Sequence, residues 1–188
     1  MKKAEMGIGT LILFIAMILV AAVAAGVLLS TAVGLQNKAL LTGKRTKDSV
    51  ATQLEVSLIY GEDGSDSNVE KFYTQMQLAP GSMPIKYSEM SIIMSTYNDS
   101  SEMEFNSTAD CDTNFPPVGQ FAVQELLSDG NANYLSRGEV VKFCFQYKRS
   151  VGEDEEVVMQ FIPNTGNPVI MNFVTPSIMN QQRIVLFP

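Results

Sequence analysis

Residues 7–35 read GIGTLILFIAMILVAAVAAGVLLSTAVGL, with Ser and Thr as the only polar side chains. No charged residue occurs between Glu5 and Lys38. As an α-helix this run is about 40 Å long, which exceeds the ~30 Å hydrocarbon core of a bilayer. The sequence therefore predicts one hydrophobic helix near the N-terminus that is able to cross a membrane. From this run alone, a plain single-pass anchor is one interpretation.

The residues before the apolar run form an unusual secretion signal. Met1, Lys2 and Lys3 form a very short positive segment that ends in the small residue Ala4, and no small-x-small cleavage motif follows the run. A conventional secretory peptidase cuts on the far side of the apolar segment and discards it. A cut before the segment would instead keep the helix in the mature protein.

Small residues recur along the helix at intervals of four. They are Ala22, Gly26, Ser30 and Gly34, with Ala21 and Ala25 beside them. Residues four apart lie on one face of an α-helix, and small side chains at such positions let two helix backbones approach closely. We therefore predict a helix-packing face whose final partners are other copies of the same helix.

Charge is distributed unevenly along the chain. The 188 residues include 13 basic and 20 acidic ones, for a net charge of −7, and residues 1–48 contain six of the basic and two of the acidic ones. Residues 49–188 therefore carry a net charge of −11. This charge opposes binding to nucleic acid, which needs clustered Lys and Arg. Because the chain has no His, the commonest general base and transition-metal ligand, we expect neither an enzyme nor a cofactor.

Helical structure is predicted to continue beyond the apolar run. Residues 35–58 contain no Pro, and their apolar positions recur at roughly helical spacing, so we extend the helix to about residue 50. Gly43 lies inside this helix, where glycine lowers helix stability by about 1 kcal/mol relative to Ala, and it marks a site of bending. The basic residues just after it form either a solvated collar or contacts with phospholipid headgroups. The helical domain is predicted to span residues 5–52.

From about residue 54 the hydrophobic pattern changes to a period of two. Alternation is clearest in the runs 141–147, 157–161 and 169–173, and loops rich in Gly, Pro, Asn and Asp separate such runs. Seven or eight short strands predict an antiparallel β-sandwich of the immunoglobulin-like type over residues 53–188, so the fold class is α+β. The segment Gln120–Leu127, with the sequence QFAVQELL, is interpreted as the one short helix.

The order and spacing of residues at the N-terminus are similar to those of archaeal flagellins, or archaellins. The matching segments are GIGTLI at 7–12, FIAM at 14–17, VAAVAAGVL at 20–28 and QNKA at 36–39. Late segments resemble the same family, namely LSRGE at 135–139, FIP at 161–163 with Gly166 and Pro168, FVTP at 173–176 and the terminal LFP at 186–188. Residues 61–134 show no such resemblance.

The resemblance implies a class III signal peptide at residues 1–4. In archaellins a prepilin-type signal peptidase cuts two residues before the GIGT motif, which here falls between Ala4 and Glu5. Most archaellins have Gly on the N-terminal side of the cut, where this chain has Ala. The trimmed helix is then expected to leave the membrane and to join a homopolymeric filament.

The function implied by the resemblance is that of a structural subunit of the archaellum, the extracellular filament used for swimming. A non-motile adhesive pilus of the type IV class is an alternative. Bacterial pilins, however, usually begin with Phe and have Glu five residues in, where this chain has Gly9. A third alternative is a monomeric single-pass membrane protein with a ligand-binding β-sandwich ectodomain, for which the sequence shows no recognisable site.

Cys111 and Cys144 are the only cysteines. Export from the cytoplasm permits a disulfide, with two unpaired buried thiols as the alternative. Cys144 alternates with Phe143 and Phe145, so it lies on the polar face of its strand and points toward whatever loop covers that sheet. We therefore predict a bond between the two cysteines.

The sequence contains two further kinds of candidate surface site, glycosylation acceptors and acidic stretches. Asn98 and Asn106 each begin an N-x-[ST] sequence, which accepts N-linked glycans in exported chains, and archaellins are often glycosylated in this way. The acidic stretches 62–68 and 153–156 offer carboxylates for Ca²⁺, but neither has the EF-hand pattern. We interpret both stretches as solvated turns.

Overall fold

The structure is a computed structural model that describes residues 2–62, 67–127 and 133–188, with side chains from Gly7 onwards. It begins with one long helix, α1 (Lys2–Ala51), which Pro does not interrupt and in which Ala and Leu are good helix formers. The polar Thr31 is satisfied within the helix, because its hydroxyl donates to the carbonyl of Leu28 at 2.9 Å. The chain forms two compact units, residues 1–46 and residues 47–188.

The second unit contains the strands. They are β1 (Leu54–Glu62), β2 (Val69–Leu78), β3 (Ile85–Lys86), β4 (Met90–Thr96), β5 (Ser100–Phe105), β6 (Gln120–Leu127), β7 (Tyr134–Leu135), β8 (Val140–Val151), β9 (Glu156–Pro163), β10 (Val169–Val174) and β11 (Arg183–Phe187). Nine of them form a sheet in the order β10-β9-β4-β5-β6-β8-β2-β1-β11, and β3 pairs with β7. Eleven strands are described, more than the seven or eight predicted; two of them, β3 and β7, have only two residues each, and the main sheet still contains nine.

Two layers make up the nine-stranded sheet, β10-β9-β4-β5 and β6-β8-β2-β1-β11. Neighbouring strands within each layer are antiparallel, and a short parallel pairing of residues 104–105 with 120–121 joins the layers. Phe72 and Phe143 of the second layer and Phe161 of the first are fully buried in one shared core. Two antiparallel layers that enclose a common core form a β-sandwich. The structure thus confirms the predicted long helix followed by an antiparallel β-domain.

The predicted short helix at Gln120–Leu127 is wrong, because this segment is strand β6. It pairs with β8 from Phe121 to Leu127. Phe121 and Ala122 are both fully buried, one in the sandwich core and one on the outer face under a covering loop. Pairing with a long neighbouring strand overrides the weak helical pattern of eight residues, which periodicity alone does not resolve.

The last turn of α1 is hydrogen-bonded to the β-domain around Thr52. This residue is fully buried, and its hydroxyl donates to the carbonyl of Asp48 at 2.8 Å. The hydroxyl of Ser82, in the loop after β2, accepts the N–H of Gln53 at 3.0 Å. Gly166, in the loop after β9, has φ of +117°, and a Cβ there would lie 2.7 Å from the Thr52 carbonyl oxygen. Two loops therefore hold the segment that connects helix and strand.

Candidate functional site

The apolar surface of α1 is uncovered. Every described side chain from Gly7 to Lys47 is exposed, including Phe14 at 64% and Met17 at 75%. The helix over residues 7–51 is long and apolar enough to cross a membrane, and it contains an 18-residue window with a mean hydropathy of 3.0. Soluble monomers rarely expose contiguous apolar patches larger than a few hundred Å². The helix therefore requires lipid or other protein around it, which makes it the main candidate site.

The predicted helix-packing face is open in the single chain. Ala22, Gly26, Ser30 and Gly34 are all exposed, and a Cβ built on either glycine meets no atom within 4 Å. Glycine inside a helix is destabilising by roughly 0.5–1 kcal/mol relative to Ala, and nothing in the described chain requires it at these two positions. Close approach of a second helix would account for both glycines. The packing face itself stays a prediction.

The predicted cleavage site lies at the start of α1. The backbone is helical at Ala4 and Glu5, and their side chains lie outside the described residues. Cleavage between the two residues therefore stays a prediction.

A disulfide joins Cys111 to Cys144, with 5.7 Å between their Cα atoms, as predicted. Cys144 of β8 lies on the outer face of its layer and is nevertheless fully buried. The loop of residues 106–119, between β5 and β6, covers this face and forms a second hydrophobic cluster with it. The cluster contains Tyr60, Tyr73, Cys111, Ala122 and Cys144, with Leu58, Ala109 and Phe115 packed against them. The disulfide thus fastens the covering loop to the sheet.

Asp110 organises the covering loop next to Cys111. Its carboxylate accepts the hydroxyl of Thr113 at 2.6 Å and the N–H groups of Asp112 at 2.7 Å, Thr113 at 2.6 Å and Asn114 at 3.2 Å. The bonds from Thr113, and then those from the other two N–H groups, lower the pKa of Asp110 well below its usual range because they stabilise the charged form. An ionised Asp110 therefore holds this turn.

The two predicted glycosylation acceptors differ in their surroundings. Asn98 is exposed in the turn between β4 and β5. Asn106 is half-buried, and its Nδ2 donates to Oε1 of Gln120 at 2.6 Å. Its Oδ1 accepts both the N–H of Thr108 at 2.9 Å and the Thr108 hydroxyl at 2.8 Å. Glycosylation of either residue stays a prediction.

The acidic turns offer little to a cation. Residues 63–66 of the stretch 62–68 lie outside the described residues. In the stretch 153–156, Glu155 pairs with Arg149, and Oε1 of Glu153 accepts the N–H of Met179 at 3.0 Å. These carboxylates therefore stabilise the turn itself. Within the described ranges, no group of three or more Cys, Asp or Glu side chains is placed to hold a metal ion.

Beside the disulfide, the outer face of the second layer contains a cavity of about 340 Å³, which we call the tyrosine pocket. The rings of Tyr60 and Tyr73 stack in it, with centroids 4.9 Å apart. Burial raises the pKa of both hydroxyls, and the carboxylate of Glu62 raises that of Tyr73 further. Sequence reasoning missed the pocket, because its residues come from four strands and the covering loop, and no local motif links them.

Comparison with known proteins identifies the family. A family model described as archaeal-type flagellin matches residues 4–173. The chain belongs to this family. Flagellin B1 of Methanocaldococcus jannaschii is 30% identical over 207 residues, which cover 98% of this chain and 95% of that protein. Flagellin B4 of Pyrococcus abyssi is 32% identical over 216 residues, which cover 98% and 99%. The archaellin resemblance seen in the sequence is thereby confirmed.

Solved structures share the fold of this flagellin. The archaeal flagellum of Methanospirillum hungatei aligns with a TM-score of 0.72 at 18% identity, and the alignment covers 96% of this chain and 99% of that one. The crystal structure of a flagellin from Methanocaldococcus jannaschii aligns with a TM-score of 0.64 at 19% identity, over 72% and 97%. At such identities the likeness establishes the fold alone.

Proposed function

We propose that this flagellin is a structural subunit of an archaellum filament and that it polymerises through α1. The observation that carries the proposal is the uncovered apolar surface of the helix, from Gly7 to Leu41. Burial of apolar surface contributes about 25 cal/mol per Å², so copies that pack these helices together are strongly stabilised. The role is structural, and it needs no catalytic group and no cofactor.

The same helix serves two environments in succession. As a precursor it lies in the membrane, which its length and hydropathy fit. A prepilin-type signal peptidase then cuts between Ala4 and Glu5, and the trimmed helix enters the filament core. Lys2 and Lys3 have to be removed, because an unpaired charge in an apolar core costs several kcal/mol.

The filament is open-ended and extracellular. Copies related by a repeated rotation and translation make heterologous contacts, which generate a helical polymer when they do not close into a ring. The β-domain forms the outside, where the net charge of −11 on residues 49–188 favours solubility. The disulfide suits an oxidising location outside the cytoplasm.

N-linked glycans at Asn98 and Asn106 are part of the proposal. Asn98 is exposed at a turn, which supports access by a glycosyl transferase. At Asn106 the hydrogen bonds from Thr108 order the acceptor sequence locally. Mass spectrometry of peptides from isolated filaments tests both sites. An added glycan mass on each peptide is expected, and unmodified peptides throughout would contradict this part of the proposal.

Deletion of this chain, followed by electron microscopy of sheared surface filaments, tests the function. We expect filaments and swimming to be lost together, and mass spectrometry of the main filament band from unaltered cells to find this chain beginning at Glu5. Persistence of swimming after loss of the filaments would favour the adhesive pilus. Recovery of the chain only from membranes, with filaments unaffected, would favour the single-pass membrane protein.

A further inference from the structure

The tyrosine pocket has an aromatic floor surrounded by cations. The stacked Tyr60 and Tyr73 form the floor, and the ring of Phe115 meets Tyr73 edge-on with centroids 5.8 Å apart. The guanidinium carbon of Arg183 lies 4.7 Å from the Tyr60 ring centroid. Nζ of Lys142 lies 5.6 Å from that of Tyr73. Such cation–π contacts keep positive charge at the rim of the pocket.

The positive charge of the pocket is not fully neutralised within the described chain. Arg183 pairs with Glu62 at 2.6 Å, and Lys142 pairs with Asp112 at 3.4 Å. Nζ of Lys71 lies 5.7 Å from the Phe115 ring centroid and forms no ion pair in the part of the chain that the structure describes. The pocket is therefore net positive, although residues 49–188 carry −11 overall. A half-buried lysine that lies over an aromatic ring and forms no ion pair with the described residues is suited to receive a carboxylate.

The outer face of the other layer has the opposite charge. Glu89, Glu102 and Glu104 line a wide depression of about 740 Å³ there, and no Lys or Arg occurs among its described lining residues. All three glutamates are exposed. Glu102 and Glu104 flank Met103, which points into the core, so both carboxylates project outward. We call this surface the glutamate face.

The two surfaces cannot meet within one molecule. The tyrosine pocket lies on β1, β2, β8 and β11, and the glutamate face lies on β4, β5 and β9, so the sandwich core separates them. They can meet when one copy follows another in the same orientation. A contact between two different surfaces of successive copies is heterologous, and it extends without closing in a helical polymer.

We propose that the glutamate face of one subunit docks over the tyrosine pocket of the next subunit in the filament. This inference rests on the filament function proposed above and assigns the partner, a second copy of this chain, by charge complementarity. Lys71 receives Glu102 or Glu104 of the neighbouring copy, and Arg183 and Lys142 add to the favourable field. Opposite charges matched in this way fix which surfaces of the two copies meet.

Carbodiimide cross-linking of intact filaments tests the contact, because this reagent joins an amine to a carboxylate only where the two touch. Peptide sequencing of the dimer band is expected to find Lys71 linked to Glu102 or Glu104. The variant Lys71→Gln should lose this linkage. Lys148→Gln is the matched control, since Lys148 is an exposed lysine outside the pocket, and it should leave the linkage unchanged.

Charge reversal provides a second test with its own control. Lys71→Glu and Glu104→Lys are each expected to shift filament disassembly to a lower guanidinium concentration, and the double variant should restore it. Lys148→Glu with Glu156→Lys, both outside the two surfaces, should show no such rescue. A circular dichroism spectrum that matches the unaltered chain verifies that each variant is folded, and resistance of Cys111 and Cys144 to alkylation without reductant verifies that the disulfide has formed.

The outcomes separate this inference from the proposed function. If filaments form but Lys71 is linked to other carboxylates or to none, or if the double variant is no better than the single ones, the docking is wrong and the filament function stands. If the unaltered chain forms no filaments at all, the proposed function fails and the inference falls with it.

Discussion

The helix α1 and the β-domain place their apolar side chains in opposite ways. In α1, Phe14 and Leu28 are 64% and 69% exposed, whereas Phe72 and Phe143 of the β-domain are fully buried in a core of their own. Hydrophobic burial is the dominant favourable contribution to folding and association. The β-domain therefore has what it needs to be stable as a single copy, and α1 acquires its surroundings only from lipid or from other subunits.

The largest effect expected is on assembly. Gly26→Leu places a bulky side chain on the packing face, where a Cβ now meets no neighbour within the chain, so the folded monomer is unaffected while close approach of a second helix is blocked. We expect no filaments by electron microscopy and normal amounts of the protein in the membrane fraction. Ala24→Leu, which lies about 160° around the helix from Gly26, is the matched control. Normal filaments from Gly26→Leu would contradict the close-packing argument.

Cleavage before Glu5 is also expected to be essential for assembly of the helix into the filament. It should have no effect on the folding of the β-domain. A chain that retains Lys2 and Lys3 should remain in the membrane, because burying an unpaired charge in the filament core costs several kcal/mol. Sequencing of the filament subunit should begin at Glu5, and uncut chains should occur only in the membrane fraction. Lys2 found in assembled filaments would show that this reasoning is wrong.

The next effect concerns the β-domain alone. The disulfide closes a loop with a sequence separation of 33 residues, for which the chain-entropy relation gives about 3–4 kcal/mol of stabilisation. Replacing both cysteines by Ser should lower the free energy of unfolding of residues 47–188 by about this amount, measured by urea denaturation. Since the loop lies far from the packing face in sequence, membrane insertion of the full chain should be unchanged. An unaltered urea midpoint would refute the stabilising role.

A smaller effect is expected at Asp110, which holds the turn beside Cys111. Folding lowers the pKa of Asp110, so the ionised carboxylate stabilises the folded state. This stabilisation is fully present above the ordinary Asp pKa of about 4, and it is lost as the pH falls toward the pKa of the folded state. Asp110→Ala should therefore lower the urea midpoint at pH 7 and have a reduced effect at pH 3. Equal effects at the two pH values would argue against a role for the ionised carboxylate.

Much of this architecture is predictable from local pattern. The uncharged run 7–35 specifies a helix by length and hydropathy, and the alternation around Cys144 correctly indicates that this side chain faces away from the core. Gln120–Leu127 is different, because the short segment becomes a strand through pairing with β8. That pairing depends on residues elsewhere in the chain, and no local pattern displays it.

The tyrosine pocket could not be predicted from the sequence, because its residues are also brought together by the pairing of distant strands. Glu62 and Arg183 form an ion pair across a sequence separation of 121 residues, and they meet only because β1 and β11 are neighbours. The packing face of α1 is the reverse case. Its spacing is visible in the sequence, whereas the partner that we propose for it is another copy of the chain.

Electron cryomicroscopy of sheared filaments tests the central claim most directly. The account predicts that α1 from Gly7 to Thr46 lies in the filament core, that the backbone at Gly26 and Gly34 is in close contact with helices of other subunits, and that the β-domains form the outer layer. A filament in which these helices are separated from one another, or lie on the outside in contact with water, would contradict it.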